Sequence, residues 1–428
     1  MSPVSPIVHA FRRRATVVLL SMAAVVPASG FAETGRVASE LAPAIAATPS
    51  VAPVLETATH IAPVSWSRRN AEALIDVIEA AADEGLDPRD YDIARLREAV
   101  DSGLIDPVLF NESAMRLAGD YRYGRVARSE RVDWASEAAN PLLLASIVAQ
   151  AVRENRIAAT FERLLPQSED YAALRRALAE TPASDTARRT ALRVNLERWR
   201  WMPRELGDRH ILVNIPAYRV ELVESGAVVA EHSAIVGKPS SPTPMFSTEV
   251  RAVRFNPGWA VPPGLKAEKL AMYKRNPAAA RRQGYYVKNG PNGPAIFQKP
   301  GPANALGQVR LIMPNPYMVY LHDTPQKSLF AKNARALSAG CVRTERPVEF
   351  AERLLTDDGV DGGEIDAVLA QRTTTRELHL DRPVPVHITY LTVDADAGGT
   401  VTLLPDPYGR DARVARALGA SPQMLASK

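Results

Sequence analysis

Cysteine is almost missing from this sequence: its 428 residues include one, Cys341. No internal disulfide can therefore form within the chain. Zinc-finger spacing, a concentrated basic stripe and interleaved aromatic platforms are also lacking, and aromatics make up 6% of the chain. Those gaps argue against a nucleic-acid partner, and neither a metal nor a cofactor is expected. After residue 32 no apolar run is long enough to cross a bilayer. The formal net charge of +4 is small for this length. A pI near 9.1 is compatible with an anionic partner but points weakly.

What is present begins with an export signal. Arg12, Arg13 and Arg14 precede an apolar run from Ala15 to Val26 and the small residues Gly30 and Ala32. A basic start, a short apolar core and a small-residue end predict a secretory signal over 1–32, cleaved after Ala32. The alternative is an uncleaved anchor, which would hold the chain near a membrane. Residues 33–65 are rich in Ala, Pro, Ser and Thr and read as a flexible tether. In an oxidising compartment a lone thiol is a liability unless buried or used. Composition leaves open whether Cys341 is a small buried hydrophobe or a reactive group.

From Trp66 the texture becomes helical. Leu74, Ile75, Val77 and Ile78 recur at helical spacing before a stop at Gly85. Asn140-Pro141 predicts another helix start. Arg188 to Arg200 places Leu192, Leu196 and Trp199 on one face, with its arginines expected on a solvated face. Residues 66–205 are therefore expected to form an all-helical scaffold domain. Near His210 the period changes to that of strands: Ile211 to Ile215, Arg219 to Val223, Ala227 to Val229, Val309 to Met313, Tyr317 to His322 and Val384 to Val393. The expected second domain, 206–395, is mostly β, a sandwich or related mixed sheet. It carries a lid at about 261–307, a polar stretch with many Pro and Gly and no regular period. Gly398-Gly399 predicts a turn into Val401 to Leu404, within a C-terminal extension over 396–428.

Two segments carry candidate chemistry, Tyr320-Leu-His-Asp-Thr-Pro325 and Ala336-Leu-Ser-Ala-Gly-Cys-Val-Arg343. His322 closes a predicted strand. Cys341 precedes a predicted helix with Thr344 as its N-cap and Pro347 in its first turn. A thiol ahead of a helix start sits in positive potential that favours the thiolate, and Arg343 acts the same way. A neutral imidazole in reach would take the thiol proton. The amides of Gly340 and Cys341 are candidate oxyanion donors. Each residue also has a structural reading: a satisfied strand-end histidine, a turn cap at Ser338, or a surface pair of Arg343 with Glu345 or Glu349. His210, His232, His379 and His387 have no functional context.

The block from His322-Asp-Thr to Ser338-Ala-Gly-Cys-Val-Arg343 resembles the signature of the YkuD-type L,D-transpeptidases, in particular the long YcbB-like branch. Gly301-Pro-Ala-Asn-Ala-Leu-Gly307, Asn195-Leu-Glu-Arg-Trp-Arg-Trp201, Val236-Gly-Lys-Pro239, Phe255-Asn-Pro-Gly-Trp259 and Tyr408-Gly-Arg-Asp411 are similar to that branch too. The resemblance implies a periplasmic enzyme of cell wall biogenesis. Cys341 would form a thioester with a tetrapeptide stem of peptidoglycan and release D-alanine, with His322 as base and then acid. A diaminopimelate amine would then take the acyl group, making a 3-3 cross-link. Ser338, Asp323, Thr324 and Arg343 would support thiolate or substrate. Trp259, Tyr317, Asn304 and the lid would line the cleft, and carbapenems would react at the same sulfur.

Two departures stand out. Ala339 occupies a position that commonly carries His or Thr in that family. The peptidoglycan-binding module usual before Asn195 is replaced by a short run from Thr181 to Ala187. Three rival readings remain. The first is the same acyl-enzyme with water or a protein amine as acceptor. The second is a cysteine amidase, which the order of His322 before Cys341 opposes. The third is a silent wall-binding scaffold.

Overall fold

The computed structural model describes residues 64–395 and 400–420. The expected signal, nearly all of the tether and the Gly398-Gly399 turn lie outside the described residues. The scaffold is helical as expected. It comprises α1 (Arg68–Ala80), α2 (Ile93–Asp101), α3 (Pro107–Tyr123), α4 (Pro141–Arg153), α5 (Ile157–Glu162), α6 (Glu169–Glu180) and α7 (Thr186–Arg200). Local chemistry starts these helices. Ser67 accepts from Asn70 N–H ahead of α1, and Asn140 accepts from Leu143 N–H ahead of α4, whose first residue is Pro141. Their apolar stripes meet in a core that includes Leu74, Ile78, Phe110, Leu117, Phe161, Leu174 and Leu196. From α6 the chain reaches α7 directly over Thr181 to Asp185, which leaves no place for an inserted module. Among the described residues no helix is long and apolar enough to cross a membrane.

The last two arginines of α7 are not on a solvated face. Arg198 and Arg200 are 1% exposed, and Arg200 pairs with buried Glu197 at 2.9 Å. A buried charge survives only when paired and hydrogen-bonded. Glu197 meets that need by also accepting from Val126 N–H and Trp201 Nε1–H, both at 2.8 Å. Helical period alone could not distinguish water from a second domain on that face.

The second domain opens with β1 (Arg209–Asn214), β2 (Arg219–Glu224), β3 (Ala227–Gly237) and β4 (Phe246–Phe255). The lid follows: β5 (Trp259–Ala260), α8 (Pro263–Arg275), α9 (Pro277–Arg282), β6 (Tyr285–Gly290) and β7 (Gly293–Gln298). The chain then forms β8 (Val309–Ile312), β9 (Leu321–His322), β10 (Ala336–Ser338), β11 (Val342–Thr344), α10 (Pro347–Thr356), α11 (Gly362–Ala370), β12 (Arg376–Thr389), β13 (Val393–Ala395), β14 (Val401–Leu403) and α12 (Asp411–Ala417). Nine strands form one mixed sheet in the order β10-β3-β11-β9-β8-β4-β12-β1-β2. Because β2 also pairs with β3, the sheet closes on itself and only β10 stands outside the ring. The sandwich alternative is thereby corrected to a closed mixed sheet.

Two further expectations change. The lid is not a bare loop. Its strands pair in the order β5-β7-β6, and it has a small core of Ala280, Tyr285 and Ile296. Nor is the C-terminal stretch a loose extension: β14 pairs with β13, and Val414, Ala415 and Leu418 pack with Val194 of α7 and Trp201.

Candidate active site

Three adjacent short strands build the site. In the parallel pair β11–β9, Val342 lies opposite Leu321 and Arg343 opposite His322. In the antiparallel pair β8–β9, Arg310 lies opposite His322. Side chains alternate along a strand and directly paired residues share a face. Val342, Leu321, Val309 and Leu311 therefore point into the core, where each is 3% exposed or less. His322, Arg310 and Arg343 gather on the other face, at the mouth of the turn that presents Cys341. Two register pairings thus collect an imidazole and two guanidinium groups beside one thiol.

The turn before β11 is held from within. Ser338 Oγ donates to Cys341 O at 2.6 Å and accepts from Gly340 N–H at 3.1 Å. The Gly340 amide is therefore engaged, whereas Cys341 N–H has no protein partner among the described residues. Of the two expected oxyanion donors, only the second is free. Ala339 is exposed, and its carbonyl accepts from Ser241 Oγ at 3.0 Å.

Cys341 does not sit at a helix start. It leads into β11, and α10 begins only at Pro347, behind Arg346 in left-handed conformation with no side-chain cap. Thr344 lies in β11 and is not the N-cap. The dipole of α10 therefore does not act on the sulfur, because that potential fades within a turn. Burial pushes the thiol above its ordinary pKa, and only in part do the Tyr320 amide, Arg310 and Arg343 pull it down. The resting group is a neutral thiol, and Sγ donates to Met318 O at 3.7 Å. That carbonyl is aimed by strain: Met318 has φ 54°. The loop around it is clamped by Asn315, which bonds Met313 O, Val319 O, Tyr317 N–H and Val319 N–H.

His322 is buried, and its pKa is lowered to about 4, first by desolvation and then by Arg343. Nδ1–H donates to Asp323 O at 2.5 Å, so Nε2 keeps the free lone pair. The hydrogen bonds of the described residues do not include one between Sγ and the ring, so the pair stands as neutral thiol and neutral base. Apo geometry of this kind commonly tightens with substrate.

The remaining predicted residues divide. Arg343 Nη1 donates to Gln326 Oε1 at 2.9 Å rather than pairing with Glu345 or Glu349. Asp323 is spent on its own loop, accepting from Gln308 N–H, Thr324 N–H and Lys327. Thr324 caps the next turn, accepting from Gln326 N–H. Tyr317 is 43% exposed and leans on Phe246 at 4.9 Å, one residue from the Met318 carbonyl. Asn304 is not a cleft residue. It is buried and fully used at the lid base, donating to Gln298 O and Lys299 O and accepting from Leu306 N–H. Trp259 packs against the lid's small core, with Tyr285 at 6.5 Å. Arg310 was missed from the sequence. Its guanidinium stacks 3.6 Å from the Tyr320 ring centroid, and its buried Nε has no partner. In the sequence it is only the polar member of a Val309-Arg-Leu-Ile312 alternation; the strand register brings it to His322. Among the described residues the other histidines are structural or exposed: His210, His232 and His387 bond backbone carbonyls, and His379 lies near Glu377.

Residues 208–376 match the family model of the YkuD L,D-transpeptidase catalytic domain, and residues 62–178 match that of the Scaffold domain. A putative L,D-transpeptidase of Haemophilus influenzae is 32% identical over 243 residues, 52% of this chain and 48% of that protein. The chain thus spans about half the length of this curated relative. Among solved structures, similarity extends to an L,D-transpeptidase from Mycobacterium smegmatis (13% identity, 42% of this chain and 58% of that one, TM-score 0.22). It extends also to the catalytic domain of an Enterococcus faecium L,D-transpeptidase acylated by ertapenem (14%, 43% and 98%, TM-score 0.21). Superpositions this partial carry no functional inference. The two matches follow the folded order: the β-rich residues 208–376 match the YkuD-type L,D-transpeptidase catalytic domain, and the helical residues before them match the Scaffold domain.

Proposed function

We propose that this chain is a cysteine acyltransferase of the periplasmic cell wall that cross-links peptidoglycan stem peptides. The observation that carries the reading is the grouping of Cys341, its unpartnered N–H and neutral His322 at the end of one strand register. As the sulfur attacks the carbonyl before the terminal D-residue of a tetrapeptide stem, its proton passes to His322 Nε2. The C–N bond breaks, D-alanine leaves with that proton, and a thioester remains. A diaminopimelate amine of a second stem then loses a proton to His322 and displaces the sulfur, giving a 3-3 cross-link. The Cys341 amide would hold the oxyanion in both steps. The lid supports an anionic polymer as substrate: between residues 261 and 307 it has eight Lys and Arg against one acid, Glu268.

Incubation with tetrapeptide muropeptides, read by mass spectrometry, tests the reading. Cross-linked dimers with free D-alanine are expected; tripeptides alone would replace it with an L,D-carboxypeptidase that uses water. A carbapenem, whose strained lactam acylates such a thiol, should add its mass to the protein and not to Cys341→Ser. Folded protein that forms no adduct would leave only a silent wall-binding scaffold.

A further inference from the structure

We infer that Thr243 and Tyr408 are positioning residues for the nucleophile, which makes the C-terminal segment from Asp406 to Asp411 part of the catalytic apparatus. The inference rests on Cys341 acting through an oxyanion, as proposed above. It concerns residues outside the two signature segments, and Tyr408 lies beyond the matched catalytic model, which ends at residue 376.

One peptide unit sets the geometry. Gly340 O and Cys341 N–H belong to the same trans-planar amide and point in opposite directions. Thr243 Oγ1 donates to Gly340 O at 2.7 Å. Fixing that carbonyl on the inner side fixes the Cys341 N–H on the outer side, where it has no protein partner. Gly340 sits at φ 117°, a conformation that suits glycine and that neighbouring contacts must maintain.

Thr243 is held in turn by a closed set of directed bonds. Its Oγ1 accepts from Gly237 N–H at 2.9 Å. Tyr408 Oη accepts from Thr243 N–H at 3.2 Å and donates to Gly237 O at 2.6 Å. Glycine is required at 237 by space: a Cβ there would lie 2.3 Å from Ser241 O. Tyr408 is locked behind the turn. Its ring stacks on Tyr390 at 5.3 Å, and its N–H donates to Tyr390 Oη at 2.8 Å. Arg410 covers both rings and pairs with Asp133 of the scaffold at 2.6 Å. A connected run of bonds therefore leads from the scaffold through the C-terminal segment to the amide beside the nucleophile.

Two reactions of the same sulfur separate this role from general support of the fold. Acylation by a carbapenem develops an oxyanion and needs the amide; alkylation by iodoacetamide needs only the sulfur. Thr243→Val and Tyr408→Phe are expected to slow acylation about 10- to 100-fold, with alkylation within about twofold of wild type, and Thr243→Ser to recover most of the loss. Should Thr243→Val not fold, Tyr408→Phe decides. Wild-type acylation rates in the folded variants overturn the inference, and so does equal loss of both reactions, which would show a disordered site. Failure of the wild type itself to be acylated would instead remove the proposed function on which this inference rests.

Discussion

At the scale of single residues the site is defined by what is uncharged. Desolvation raises the Cys341 thiol and lowers His322 to about 4, so the resting pair is neutral at pH 7. The two cations beside it, Arg310 and Arg343, favour the thiolate and disfavour the imidazolium. An enzyme with a preformed thiolate–imidazolium pair would alkylate at a constant rate from mildly acidic pH upward. Here the rate constant for iodoacetamide should keep rising through pH 9 with no plateau near neutrality. Arg310→Met should move that profile upward by about one pH unit, since a nearby cation lowers a thiol pKa by an amount of this order. A plateau below pH 7 in the wild type would contradict the neutral pair.

At the scale of elements, α7 and β12 carry the stability that the absent disulfides do not supply. α7 buries Glu197 and Arg200 together inside the scaffold. It also bonds Thr392 through Asn195, and Asp411 through Arg198. Removing one partner of a buried ion pair strands the other charge, so Glu197→Ala should lower unfolding free energy by about 3–5 kcal/mol. The paired replacement Glu197→Leu with Arg200→Leu should cost less in urea titration; the reverse order would refute this account. On β12, His387 accepts from Ser247 Oγ–H and donates Nε2–H to Leu206 O, both at 2.9 Å, and burial lowers its pKa to about 4. Its unfolded imidazole titrates near 6.5. As pH falls below 6.5 the unfolded chain takes up the proton first. The stabilisation is therefore complete above that value and is lost progressively down to about 4. Each such histidine contributes roughly 1.4 kcal/mol per pH unit in that window. The thermal midpoint should drop between pH 7 and 5, and by less in His387→Gln.

At the scale of the whole molecule, charge is unevenly placed. The net +4 of the chain conceals a lid whose cations are opposed by one acid, and no residue of α8 is buried. Cations left in water act over about a Debye length, 10 Å at 0.1 M salt. Turnover on intact peptidoglycan should therefore fall about tenfold between 0.05 and 0.5 M salt, while turnover on a small soluble muropeptide changes little. Equal salt dependence on both would place the attraction elsewhere. The two-domain plan was legible because long helices and alternating strands have different periods. The order of the strands was not, because β9, β10 and β11 are too short to show any period. The segment from Tyr317 to Val319 reads as strand but is bent by Asn315 and the positive φ of Met318.

By itself the sequence determined the helical-then-β plan and singled out Cys341 as candidate nucleophile and His322 as candidate base, because a lone Cys341 in its Ser338–Arg343 block and His322 behind an apolar strand are local patterns. Only the tertiary structure decided that Cys341 enters a strand rather than a helix, that Arg310 faces His322, and that Arg198 and Arg200 are buried. It alone brought Tyr408 to Thr243 and left the Cys341 amide free while the Gly340 amide is used. The physical reason is the same throughout: register and burial are set by pairing between segments far apart in the chain. Desolvation, which decides the ionisation of Cys341 and His322, is a property of what surrounds a residue and not of its neighbours in sequence.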